Sequence, residues 1–117
     1  MSGTIFGDVK EAIGLAADNT PFDDTLLLHI NGALSNVTRV GAGNQDGFVA
    51  TKTSTWNDFS TDAKLISQLK NYLVFQVKIM FDSSTMSSFV LSSYQELAKE
   101  ALWTINNYAD FGNQTHT

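Results

Sequence analysis

Two histidines, His29 and His116, are the chain's only imidazoles, and there is no cysteine. A general base would have to be His29, oriented by Asp23 or Asp24. A serine–histidine–aspartate assembly built on it needs a serine in a nucleophile-elbow sequence, and none is present. His29 stands beside Leu28 and off the Leu27–Ile30–Leu34 stripe, which is where a surface or boundary histidine falls. His116 belongs to a polar terminal stretch. Without cysteine there is no thiolate nucleophile, disulfide framework or cysteine-based metal site.

Carboxylates and glycines carry little more. Asp18, Asp23 and Asp24 cluster around a turn but lack the alternating oxygen ligands of an EF-hand loop, and helix capping accounts for them better. Glu96 and Glu100 stand one helical turn apart with no histidine or second carboxylate pair to complete a metal site, as on a solvated helix face. Gly41, Gly43 and Gly47 superficially resemble a dinucleotide fingerprint, yet they follow a helix instead of opening one and the third glycine is displaced by one residue. Trp56 and Phe59 could stack bases of a single strand, but Lys52 alone is near to hold a phosphate backbone. They read better as loop anchors in the core or as aromatic knobs for a partner subunit. No catalytic, cofactor-binding or metal-ligating residue is assigned, and the expectation is a protein that is not an enzyme and needs no cofactor.

Helical periodicity dominates the elements that would carry these groups. Asp8 to Ala17 places Val9, Ala12, Ile13 and Ala16 on one face, and Asp18-Asn19-Thr20-Pro21 ends it. Asp23 or Asp24 starts a second helix striped by Leu27, Ile30, Leu34 and Val37, with Leu26 and Ala33 beside them and Gly41 as C-cap. From Gly41 to Phe59 the helical signal is lost; Phe48 to Thr53 has β character, as a strand or an extended arm. Ser60 is the expected N-cap of a third helix carried by Leu65, Leu69, Leu73 and Val77 to about Phe81, and this helix should lie centrally. Asp82-Ser83-Ser84-Thr85 breaks the pattern. A fourth helix then runs to about Tyr108 with Val90, Tyr94, Leu97, Ala101, Ile105 and Tyr108 in one stripe, broadened by Phe89, Ala98, Leu102 and Trp103. The expected fold is mainly α: a small bundle of three main helices plus a short N-terminal helix, with a long loop or arm at 41–59. Residues 1–108 form one domain and 109–117 a flexible polar tail.

Composition narrows the class. The chain has 117 residues, 12 Asp+Glu against 7 Lys+Arg and a formal net charge of -5, a poor balance for gripping nucleic acid. Only 16% of residues are charged, against about 25% in an ordinary soluble domain, while 43% are apolar and 11% aromatic. The uncharged surface is filled by Ser, Thr and Asn, and such a surface suits coverage by other protein. Residues 1–8 show neither the positive n-region nor the apolar run of a signal peptide. The greasiest run, Tyr72 to Phe81, contains Gln76 and Lys78 and is too short to span a bilayer, so a cytosolic product without membrane contact is expected.

Three blocks carry a resemblance. They are Asp8-Val9-Lys10-Glu11-Ala12-Ile13 followed by Phe22-Asp23-Asp24-Thr25-Leu26; the run Tyr72 to Asp82 followed by Thr85, Ser87 to Leu91, Glu96-Leu97 and Leu102 to Asn106; and Trp56-Asn57-Asp58-Phe59. Over roughly residues 5 to 108 the chain resembles the small head–tail connector (adaptor) proteins of tailed bacteriophages. Such proteins commonly carry proline after the aspartate at position 82, where this chain has Ser83 and Ser84. The resemblance implies a structural virion subunit, made in the host cytoplasm and located at the head–tail interface. It implies a homo-oligomeric ring under the portal protein, dodecameric in the virion, with the isolated chain open between monomer and ring. The ring would extend the DNA channel, pass DNA without binding it specifically and dock a stopper or tail-completion protein. Phe48, Trp56, Phe59 and Phe111 are the expected protein-interface residues. A different class of function, a small helical regulatory or protein-binding module using the aromatic loop, is the alternative.

Overall fold

A computed structural model describes residues 3–16, 18–40 and 48–114, with side chains as far as 107. The protein is mainly helical. Helix α1 spans Ile5–Ala12, α2 Asp23–Arg39, the single turn α3 Trp56–Phe59, α4 Ala63–Asp82 and α5 Ser88–Gln114, with a 3₁₀ turn at Ser83–Thr85 before α5.

Helix α1 starts earlier and stops sooner than its apolar spacing predicts. The Thr4 hydroxyl accepts a hydrogen bond from the Gly7 amide (3.0 Å), so the cap precedes Asp8. Gly14 turns the chain with φ +92°, a conformation that glycine adopts without steric cost. The buried face is therefore Ile5, Phe6, Val9 and Ile13, while Ala12 and Ala16 are exposed.

Helix α2 buries Leu26, Ile30, Ala33, Leu34 and Val37. Its expected cap Gly41, like the rest of 41–47 and its glycine pattern, lies outside the described residues. Helix α4 begins two residues later than Ser60 suggests: Asp62 is the N-cap, accepting from the amides of Lys64 (3.1 Å) and Leu65 (3.3 Å). A carboxylate there both caps and meets the positive end of the helix dipole. Leu65, Leu69, Tyr72, Leu73 and Val77 are buried on α4, which packs against α1, α2 and α5.

Helix α5 starts where Ser87 accepts from the Val90 amide (3.2 Å) and runs to Gln114, past the Tyr108 at which its apolar stripe ends. Of the expected polar tail at 109–117, residues 109–114 continue α5 and 115–117 lie outside the described residues. The inward face of α5 is Ala98, Ala101 and Ile105, flanked by Leu91, Tyr94 and Leu102. Val90 and Leu97, read from the sequence as part of that stripe, are 40% and 43% exposed, so the buried stripe is narrower than the expected one.

Residues 48–53 form no strand. Among the described residues the only β-type pairing is an isolated antiparallel bridge between Thr4 and Thr55. Among the described residues the stretch has no neighbouring strand to pair with, and the Thr51 carbonyl instead accepts from the Ser54 amide in a turn.

Candidate assembly surface

The arm, residues 48–59, is fastened to α1 and α2 by polar contacts at several points. The Asn31 carboxamide donates to the Ala50 carbonyl (3.1 Å) and accepts from the Ala50 amide (2.7 Å). It thereby satisfies both backbone groups of a buried residue that has no ladder. The Ile5 amide donates to the Ser54 carbonyl (3.0 Å). Lys52 and Lys10 both reach Asp23, at 3.2 and 2.8 Å, and both ammonium groups lie over the Phe6 ring. Lys10 and Asp23 are buried, and burial of a charge is tolerated when it is paired. The Lys10 hydrogen bond holds the Asp23 carboxyl below its ordinary range; burial opposes this and Lys52 reinforces it.

Trp56 and Phe59 belong to the core, at 6% and 3% exposure. Thr55 opens their turn with a capping box: its hydroxyl accepts from the Asp58 amide and the Asp58 carboxylate accepts from the Thr55 amide. The Trp56 indole donates to Asp8 (2.8 Å), and Lys70 sits 5.2 Å from the centre of its ring. Phe48 is half-buried and meets Phe59 edge-on, ring centres 5.3 Å apart. The structure thus brings Phe48, Trp56 and Phe59 together as the base of the arm. Phe111 falls outside the residues whose side chains are described.

The groups screened for chemistry do not converge. His29 is half-buried with its ring edge-on to Phe81. Asp23 is taken up by two lysines, while Asp18 and Asp24 are exposed. Among the described residues no three of His, Asp and Glu come together as a metal ion would require. His116 lies outside the described residues. Burial raises the Tyr72 hydroxyl above its ordinary range, against the hydrogen bond it accepts from Asn36 (3.1 Å), which suits a packing role.

What stands out is the side of α5 turned away from α4. Phe89 is 80% and Trp103 66% exposed, with Leu97 between them along the helix. Phe89, Ser93, Glu96, Leu97 and Glu100 line a shallow depression of about 440 Å³. Sequence reasoning placed these aromatics at the edge of the inward stripe. The signal available was that α5 carries apolar residues on two faces, one more than a single bundle contact consumes. Val49, 68% exposed on the arm, lines a second depression with Phe48 and Arg39. The Lys10–Asp23 pair was also missed, since nothing local announces a contact between residues thirteen positions apart.

No helix among the described residues is long and apolar enough to cross a membrane. No curated protein and no solved structure gives a significant match to the chain. A family model described as phage connector protein matches residues 5–112. That span takes in α1 to α4, all but the last two residues of α5 and nearly the whole sequence, so the chain belongs to the phage connector protein family.

Proposed function

We propose that this connector works by assembly alone: copies close into a ring beneath the portal of a filled capsid, dodecameric in the virion. The ring extends the DNA channel and offers its far side to a stopper or tail-completion protein. The observation that carries this reading is the outward face of α5, where Phe89 and Trp103 stay exposed on a helix whose other face already fills the core. Large aromatics left exposed along one side of a helix suit a face made for other protein. A low charge density is consistent with burial between subunits, and a net charge of -5 suits a lumen through which DNA slides without being held. In this reading Trp56 and Phe59 serve the interface from within, fixing the arm so that Phe48 and its neighbours meet the next protein at a set position; Phe111 contributes from the last turns of α5. The chain supplies contacts and no catalytic step.

Purified protein mixed with its portal and viewed by negative-stain microscopy should show collars on the portal. Light scattering of the protein alone reads whether the free subunit is a monomer or a ring. A chain that stays monomeric and never binds the portal would overturn the proposal.

A further inference from the structure

We infer that the ring closes through one particular pair of faces: the outward face of α5 on one subunit against the groove between α2 and the arm on the next, with Glu96 and Glu100 meeting Arg39. The inference rests on the ring reading above and names the partner of each surface as a second copy of this chain.

The α5 face is apolar and anionic. Glu96 and Glu100 lie among Phe89 and Leu97, with Trp103 one turn further on, and neither glutamate pairs with a cation among the described residues. Two glutamates one turn apart repel each other by a few tenths of a kcal/mol, so the monomer gives this pair no reason to stand together. The second face is apolar and cationic. Asn31, Ser35, Thr38, Arg39, Phe48 and Val49 line a depression of about 450 Å³. The Arg39 guanidinium is exposed, donates to the Asn36 carboxamide and meets no carboxylate among the described residues.

Charge then decides which faces can meet. Joining α5 to α5 would set four carboxylates near one another, with Lys99 as the one cation beside each pair, and joining groove to groove would oppose two guanidinium groups. The cross pairing sets Arg39 against both glutamates, and a guanidinium donates to carboxylates in a fixed, directional geometry. A contact of one face with a different face is the heterologous kind, which generates rings when its rotation closes. The two faces sit on helices that each bury their other side against α4, so one subunit can offer both at once. Like-charge opposition in the two self-pairings works against a closed dimer.

Charge reversal tests this directly. Arg39→Glu alone, and Glu96→Lys with Glu100→Lys, should each lower collar formation on the portal by roughly tenfold or more, read by mass photometry and negative-stain microscopy. The triple variant, which reverses both faces, should recover most of the loss. All three positions are exposed, so circular dichroism and melting should stay close to the unaltered protein. Single-face variants that assemble normally, or a triple variant no better than the others, would overturn the inference while leaving the ring intact. An unaltered protein that makes no ring, free or on the portal, overturns the ring reading and this pairing with it. An unaltered protein that sits on the portal only as separate subunits does the same.

Discussion

Aromatic residues occupy two regions of this molecule in opposite ways. At the base of the arm, Trp56, Phe59 and Phe48 are packed together, and the polar atoms around them have partners: the indole N–H on Asp8, the capping box of Thr55 and Asp58, the Ala50 backbone on Asn31. On the outward side of α5, Phe89 and Trp103 stand in solvent, Phe89 with serines and glutamates for neighbours. Burial of an aromatic is strongly stabilising only where its polar rim is satisfied as well. The arm meets that condition within one chain; the α5 face has nothing inside the subunit to pack on. The arm aromatics therefore belong to folding and the α5 aromatics to assembly.

The largest effect should separate them. Phe59→Ala and Trp56→Ala each remove a buried ring and should cost about 3–5 kcal/mol, enough to threaten a small domain. Phe89→Ala should change monomer stability by no more than about 0.5 kcal/mol while weakening collar formation. Urea melts of the three variants beside portal binding of each would read this. Equal destabilisation by Phe59→Ala and Phe89→Ala would erase the distinction.

A second test sharpens the arm side. Asp23 has its pKa lowered by Lys10, with a further contribution from Lys52. A carboxyl whose folded pKa lies below its unfolded value adds stability above the unfolded pKa, near 3.9, and loses it as pH falls through the folded value. The stability gap between the unaltered protein and Asp23→Asn should accordingly be full at neutral pH and shrink under acid. A gap that held constant from pH 7 down to about pH 3 would remove Asp23 as its source.

The α2 and α4 faces were legible from spacing because each helix has one dominant stripe, Leu26 to Val37 and Leu65 to Val77. Helix α5 was legible in part: Ala98, Ala101 and Ile105 are buried as the stripe suggests, but the helix has two apolar faces, and periodicity does not say that Phe89, Val90, Leu97 and Trp103 belong to the outer one. The beginning of α1 was hidden because Asp8 resembles a first-turn acid, while the cap lies four residues earlier at Thr4. The β character of Phe48 to Thr53 came from residue types that favour strands, but a strand exists only with a partner, and among the described residues the single Thr4–Thr55 bridge is the only β-type pairing. The fastening of the arm depends on contacts between distant positions, such as Asn31 with Ala50, which no local pattern announces.

The smallest effect concerns Gly32, on the side of α2 turned from the core. It sits in the middle of a helix at an exposed position, and its φ is not positive, unlike that of Gly14. A methyl group there would meet nothing nearer than the Met80 side-chain tip at 3.9 Å, an ordinary contact. The fold of the single subunit therefore does not call for glycine at this place, and Gly32→Ala should stabilise the monomer by about 0.5–1 kcal/mol. Gly14→Ala should do the reverse, since its left-handed backbone strains any side chain. If the exposed side of α2 is an assembly face, the gain at Gly32 appears in the thermal melt of the free subunit without tighter collars on the portal. A lowered melting temperature would instead mean that a neighbour within the subunit already crowds that position, and α2 would lose its claim to be an open face.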